Sequence, residues 1–141
     1  WRSSGINVEG DMLNPVVVRS GPIIPWFNEA TGLITDISSV VSDFLASEKP
    51  YAVFDHEGLG PKRFREEYPS SAAATIVSRT GEGVTEFLDV VTGAAPDQLA
   101  HYRSKLSTYL LGPTEKRTVA AFVESIEELA ERSERERSAY R

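Results

Sequence analysis

Two adjacent serines are the residues of this chain whose types and position suggest chemistry. Ser38 and Ser39 follow a short apolar run at 33–34 and precede apolar residues at helical spacing. Backbone N–H groups at the start of a helix attract anions, and serine hydroxyls add donors that can rotate towards phosphate oxygens. The serines therefore predict a phosphate-binding site, and helix capping is the structural alternative.

Two aspartates flank these serines. Asp36 precedes Ser38 by two residues, and Asp43 follows Ser39 by four, which places Ser39 and Asp43 on one helix face. A carboxylate there can accept hydrogen bonds from ribose hydroxyls, a common arrangement in nucleotide sites. We expect Asp36 to order the turn by accepting backbone N–H bonds. For both aspartates a purely structural role is the alternative.

A histidine follows the next apolar run. His56 stands between Asp55 and Glu57, directly after the strand-like residues 51–54. An imidazole exchanges protons near neutral pH, so His56 is a candidate general base, and an exposed polar loop is the alternative. His101 falls within a predicted helix, where a structural role is expected. The two histidines do not stand at metal-ligand spacing, so no metal site is predicted.

A basic cluster with one phenylalanine follows at 62–65. Lys62, Arg63 and Arg65 are within reach of a phosphate or an anionic polymer in principle. Glu66 and Glu67 follow at once, and we therefore expect these cations to form surface ion pairs instead.

The elements that must position these residues alternate between strand and helix. Strands are predicted at 16–18, 33–36 and 51–54, with helices at 25–30 and 38–46 between them. This order predicts a parallel α/β unit, because a connection that contains a helix links parallel strands. Free N–H groups after the second strand would then lie at the carboxyl edge of the sheet, where such proteins bind phosphates.

The second half of the chain is predicted to be mostly helical. A strand at 75–77 precedes helices at 84–91 and from about 96 to Gly112. Thr114 is predicted to cap a last helix with an apolar stripe between Val119 and Ala130. From Glu131 onward Arg and Glu dominate, which predicts a solvated helix end or a disordered tail.

Composition limits the classes of function. The 141 residues suffice for one domain, and the absence of Met at position 1 suggests a fragment or a processed form. The chain lacks cysteine, a secretory signal and a long apolar run, which predicts a cytoplasmic protein. A net charge of -6 argues against nucleic acid or an anionic membrane as the partner of this segment.

The run TDISSVVSDFLASEKPYAVFD resembles a motif of the CDP-glycerol glycerophosphotransferases, the teichoic-acid polymerase family with a GT-B fold. That motif reads TD, an aromatic residue, SS, three variable residues, DF and a later P. The chain matches it at Thr35, Asp36, Ser38, Ser39, Asp43, Phe44 and Pro50. It departs at Ile37, where the family has the aromatic residue, and at Ser42, where the family has a large residue.

The resemblance implies a fold and a set of partners. Residues 15–130 would form a partial Rossmann-like domain, a parallel sheet with flanking helices from the carboxyl-terminal half of a GT-B fold. Composition, and not the resemblance, predicts an irregular leading segment at 1–14 and a charged tail at 131–141. The implied partners are a CDP-linked polyol donor, with CDP-glycerol expected first, and the amino-terminal domain of the same enzyme. No cofactor is expected, and any contact with the inner membrane face would come from other segments.

The resemblance also assigns roles within the site. Ser38 and Ser39 would hold the donor's diphosphate. The family's two catalytic histidine motifs, of the H-G-T/P and P-H-P types, have no counterpart here, so this segment alone is expected to be inactive and the base to come from elsewhere. The alternatives are a non-catalytic Rossmann-like appendage and the donor domain of another GT-B glycosyltransferase that uses a UDP-sugar.

Overall fold

A computed structural model describes residues 21–139, which alternate three short strands with helices. The elements in chain order are α1 (Ile24–Glu29), β1 (Leu33–Thr35), α2 (Val40–Leu45), β2 (Tyr51–Phe54), α3 (Pro61–Glu67), β3 (Thr75–Val77), α4 (Val84–Thr92), α5 (Ala100–Leu111) and α6 (Val119–Ala139). Single 3-10 turns lie at Pro69–Ser71 and Thr114–Lys116.

The strands form one parallel sheet in the order β1-β2-β3. Leu33 pairs with Tyr51 in the register of the first two strands, and Val53 pairs with Ile76 in that of the next two. The predicted parallel α/β arrangement is therefore confirmed for the strands at 33–36 and 51–54. The strand predicted at 16–18 and the leading segment 1–14 lie outside the described residues.

Successive side chains of a strand point to opposite faces of the sheet. Apolar strand side chains therefore lie on both faces, and helices pack against each face. Tyr51 and Val53 belong to the larger core, in which the rings of Phe27 and Phe44 meet edge to face with centroids 5.1 Å apart. The other buried members of this core are Val41, Leu45, Phe64, Ala73, Ala74 and Ile76. On the opposite face Ala52, Val77 and Phe87 form a smaller cluster beneath α4.

Two long cationic side chains, Lys49 and Arg103, form hydrogen bonds to backbone carbonyls at the amino edge of the sheet. Lys49 Nζ donates to the backbone carbonyls of Phe27, Asn28 and Ala30 at 3.0, 2.8 and 2.8 Å. Arg103, which is 2% exposed, donates from Nε to the Glu48 carbonyl at 3.0 Å and pairs with the Asp97 carboxylate. These contacts connect α1 and α5 to the loop before β2. The two cations at this edge are therefore used in bonds that hold the fold together.

The helices differ from the predictions in three places. Residues 61–67 form α3, which was not predicted, and the helix predicted at 38–46 is shortened to α2. The last helix begins at Val119, where Thr118 Oγ1 accepts the Ala121 N–H at 3.1 Å. Thr114 is therefore not its cap: it starts a separate 3-10 turn, and Arg117 Nε bonds the Gly112 carbonyl across that turn.

The charged segment after Glu131 continues α6 as far as Ala139. Glu and Arg are favourable helix formers, and Arg135 lies 4.0 Å from Glu131 one turn earlier. The apolar stripe of α6 is exposed, with Phe122 at 65% and Ile126 at 50%. Within residues 21–139, no helix combines the length and apolar character needed to cross a membrane.

Candidate functional site

Three loops meet at the carboxyl edge of the sheet. The segments at 36–39, 55–60 and 78–83 follow β1, β2 and β3, respectively. The strands are parallel, so these loops lie side by side at the edge where α/β proteins commonly bind ligands. The predicted site residues Asp36, Ser38, Ser39 and His56 all belong to the first two loops.

The junction between β1 and α2 leaves polar groups unused within the described chain. Ser38 is half-buried and Ser39 is exposed, and neither hydroxyl has a hydrogen-bond partner among residues 21–139. Ser39 has helical dihedral angles, φ -60° and ψ -21°, instead of the extended conformation typical of a capping residue. The capping alternative is therefore wrong for the side chains.

The backbone of this junction also presents donors. The carbonyls of Ser38 and Ser39 accept the N–H groups of Val41 and Ser42 at 3.2 and 3.0 Å, which starts the helix. Among the described residues, no hydrogen bond uses the N–H groups of Ser38, Ser39 or Val40. Three backbone donors and two hydroxyls thus share one short segment at the sheet edge.

Asp36 does not order the turn as predicted. It is exposed, and its described side-chain contact is a 3.4 Å bond from the Thr35 hydroxyl. Because α2 begins only at Val40, Asp36 stands too far before the helix to reach its first N–H groups. Asp43 lies one turn into α2, is exposed, and donates its backbone N–H to the Ser39 carbonyl at 3.3 Å.

The junction between β2 and α3 is closed by a buried carboxylate. Asp55 is 2% exposed, and it accepts the N–H groups of Gly58, Leu59 and Gly60 at 2.7, 3.1 and 2.8 Å. Its own N–H donates to the Val77 carbonyl of β3 at 2.8 Å. The loop is thereby folded around one side chain.

Two opposing effects act on the Asp55 carboxyl. Burial favours the neutral form and by itself raises the pKa of Asp55. The backbone N–H groups of the following loop, Gly60 foremost, stabilise the carboxylate by more in sum, so the net pKa lies below its ordinary value. Asp55 is therefore a structural anion.

His56 stands on this closed loop beside two further polar side chains. Its imidazole is 54% exposed, with Nε2 3.6 Å from Glu57 Oε1. The same Glu57 oxygen accepts the Tyr68 hydroxyl at 2.6 Å, and this bond raises the pKa of Tyr68 above its ordinary value. From the third loop, Arg79 donates its Nε to the His56 carbonyl at 2.7 Å, and its terminal nitrogen binds the same oxygen.

The remaining candidates lie apart from this group or lack the expected partners. His101 is exposed on α5, where its ring contacts Tyr102. Arg65 donates to the Ala74 carbonyl at 2.9 Å. No described carboxylate lies within 4.0 Å of Lys62, Arg63 or Arg65, so the predicted pairing with the two glutamates at 66 and 67 is wrong. In α3 Lys62 precedes Glu66 by four residues and Arg63 precedes Glu67 by four, which is the weaker orientation for such pairs.

Sequence reasoning missed the roles of Asp55, Glu57, Tyr68 and Arg79. One signal was present, because an aspartate after a strand with glycines three and five residues later is typical of a loop wrapped around the carboxylate. The contacts of Tyr68 and Arg79 join distant parts of the chain and left no local signal.

Among the described residues, no group of three or more acidic or histidine side chains is arranged to hold a metal ion. Comparisons with known proteins add no assignment: no family model, curated protein or solved structure matches this chain.

Proposed function

We propose that this chain is the donor-binding part of a glycerophosphotransferase with a GT-B fold. The enzyme would transfer glycerol phosphate, or a similar polyol phosphate, from a CDP-linked donor to a hydroxyl of a growing cell-wall polymer. One observation carries the proposal: Ser38 and Ser39, two residues of the resembling motif, present unused hydroxyl and N–H donors at the carboxyl edge of a parallel sheet.

Those donors suit a diphosphate. A phosphate group offers several acceptor oxygens, and N–H groups aimed at it from a fixed backbone need little rearrangement. The donors at 38–40 would hold the two phosphates of the CDP-linked donor and stabilise the charge that develops on the departing CMP. Asp43, one turn further along α2, would accept hydrogen bonds from the ribose hydroxyls.

The fold is compatible with one half of a GT-B enzyme. The three parallel strands with helices on both faces support the proposal, because a Rossmann-like domain is built on such a sheet. A second domain would close the cleft over this edge and bring the family's histidine motifs. Any peripheral membrane contact in the cytoplasm would likewise belong to other parts of the enzyme.

One observation favours a different donor or a non-catalytic appendage. Ile37 occupies the position of the family's aromatic residue, and it packs against the core formed by α2 and β2. An aliphatic side chain packed in this way offers no ring on which a base can stack. A UDP-sugar transferase or a binding appendage of the same fold is therefore the second candidate.

Titration of the chain with CDP-glycerol, CMP, UDP and UDP-sugars, followed by heteronuclear NMR, tests the proposal. We expect CDP-glycerol to bind most tightly and to shift the amide signals at 36–43. Replacing both Ser38 and Ser39 by alanine should weaken its binding at least about tenfold, because hydrogen bonds to charged groups are worth about 1.5 to 3 kcal/mol each.

Two variants make this test specific. The double replacement Ser125→Ala and Ser133→Ala on exposed positions of α6 should leave affinity unchanged. Asp43→Asn should weaken the binding of CMP but not of inorganic pyrophosphate. Wild-type affinity in a folded Ser38→Ala/Ser39→Ala variant would refute the serine site, and tighter binding of UDP-sugars would favour the second candidate.

A further inference from the structure

We propose that a cavity at the amino edge of the sheet binds a small neutral polyol. The cavity has a volume of about 140 Å³ and lies between the loop before β2, the start of β3, α4 and the first turns of α5. The serine segment follows the carboxyl end of β1, at the opposite edge of the sheet. The inference therefore goes beyond the proposed function and does not depend on it.

The size and walls of the cavity limit the ligand to a few carbon atoms. A cavity of about 150 Å³ in a protein interior holds one molecule of benzene, so a volume of about 140 Å³ suits about six non-hydrogen atoms. The apolar side chains of Pro50, Val90, Pro96 and Leu99 line part of the wall, where they would contact the carbon chain of a ligand. Glycerol meets both conditions.

A buried arginine provides hydrogen-bond donors at the cavity. Arg103 lines the cavity and is 2% exposed. Its Nε donates to the Glu48 carbonyl at 3.0 Å, and one terminal nitrogen pairs with the Asp97 carboxylate. A guanidinium has five N–H donors, and these bonds use two of them. Three donors of a side chain that is already held in place therefore remain for the hydroxyl oxygens of a ligand.

A hydroxyl and a carboxylate supply the other polar groups of the cavity. Thr75, at the start of β3, lines the cavity and is 8% exposed, and no described residue hydrogen-bonds its hydroxyl. Glu86 of α4 also lines the cavity, and it forms no ion pair with a described residue. The cavity thus offers both donors and acceptors to one ligand.

The charges around the cavity favour a neutral ligand over an ion. The Arg103 charge is compensated by Asp97, and Glu86 leaves the wall with a net negative charge that opposes an anion. A cation, in turn, would lie against the guanidinium. A hydroxyl both donates and accepts, so a polyol can bond to Arg103 and Glu86 at the same time.

The position of the cavity gives the polyol a role other than that of a reacting substrate. The strands are three or four residues long and rise about 3.3 Å per residue, so roughly 10 Å of sheet separate the two edges. A polyol in the cavity would contact the loop before β2, α4 and α5 together. Because a ligand that binds only the folded chain stabilises it, the polyol would hold α5 against the sheet.

Titration of the chain with glycerol, followed by heteronuclear NMR, tests this site. We expect saturable shifts of the signals of Thr75, Val90 and Leu99, with a dissociation constant on the order of 1 mM for a ligand of about six non-hydrogen atoms. Propane-1,3-diol, which lacks the middle hydroxyl, should bind about tenfold more weakly. Acetate and alanine probe anionic and zwitterionic ligands, and tighter binding of either would overturn the proposal.

Three variants make this test specific. Thr75→Val keeps the branched shape that suits a strand, and the loss of its hydroxyl should weaken glycerol binding about five- to tenfold. Ala95→Leu enlarges a side chain of the wall and should abolish measurable binding without removing a polar group. Thr85→Val, at an exposed position of α4 outside the cavity, should bind glycerol as the wild type does. Shifts that do not saturate, or wild-type affinity in Thr75→Val or in Ala95→Leu, would overturn the proposal.

Discussion

The two junctions at the carboxyl edge of the sheet differ in whether their polar side chains have hydrogen-bond partners among the described residues. After β1, Ser38 and Ser39 have no side-chain hydrogen-bond partner among the described residues, and Asp36 is exposed. After β2, the carboxylate of Asp55 is buried and accepts three backbone N–H bonds. Both junctions contain an aspartate near the end of a strand. The Asp55 carboxylate is hydrogen-bonded to the backbone of its own loop, whereas the Asp36 carboxylate accepts no described backbone N–H.

The difference bears on where the proposed ligand would bind. A loop whose donors are already bonded gains little from a bound anion, whereas unused donors at a sheet edge gain hydrogen bonds when an anion binds. The β1–α2 junction is therefore the better candidate for binding. The β2–α3 junction is the better support, and it carries His56 on a backbone that is already ordered.

Replacing the two aspartates by alanine gives the largest expected contrast. Asp55→Ala leaves three N–H groups without their acceptor, and we expect the free energy of unfolding to fall by about 3 kcal/mol or more. Asp36→Ala removes an exposed side chain and should change it by less than about 0.5 kcal/mol. Urea denaturation at neutral pH measures both values, and equal losses would contradict the comparison.

Gly60 should show the strain of the closed junction. Its dihedral angles, φ 77° and ψ 159°, lie in a region that only glycine adopts readily. An added Cβ would meet no atom within 4 Å, so the cost of Gly60→Ala is conformational. We expect a loss of about 1 to 3 kcal/mol by urea denaturation. A loss near zero would mean that the loop relaxes to another conformation.

Acid should weaken the β2–α3 junction selectively. The pKa of Asp55 is lower in the folded chain than its ordinary value of 3.8. Its contribution to stability is therefore complete above that value and is lost as the pH falls through the lower folded pKa. The stability difference between the wild type and Asp55→Asn should be constant well above that value and should shrink over the acid range below it, as measured by urea denaturation at each pH. A difference that is constant over this range would contradict the assignment of Asp55 as a stabilising anion.

The smallest expected effect on stability is that of replacing the two serines of the β1–α2 junction. Because neither serine hydroxyl caps α2, Ser38→Ala and Ser39→Ala together should change the free energy of unfolding by less than about 0.5 kcal/mol. A capping side chain would cost about 1 kcal/mol when replaced by alanine. Thermal and urea unfolding of the double variant distinguish the two cases, and a loss of 1 kcal/mol or more would return the serines to a structural role.

Local patterns were sufficient for most elements near the site. Residues 51–54 and 75–77 read as short apolar runs rich in β-branched and aromatic residues, and both are strands of the sheet. The helix α3 was missed because its residues 61–67 are mainly charged, and a single buried Phe64 does not establish a period. The sequence also did not show which face of α5 is buried. The buried side chains of α5 are the polar Arg103 and Ser107, whereas Tyr102 and Tyr109 are exposed.

The amino-acid sequence by itself determined that parallel strands would place Asp36, Ser38, Ser39 and His56 at one edge of a sheet, because strand and helix periods are local properties. Only the tertiary structure decided which of these groups are used. Asp55 gathers the N–H groups of its loop, and Tyr68 and Arg79 reach the residues around His56 from 11 and 23 positions away. Such bonds depend on how separate elements pack together, and no local pattern in the sequence shows that these residues lie close in space.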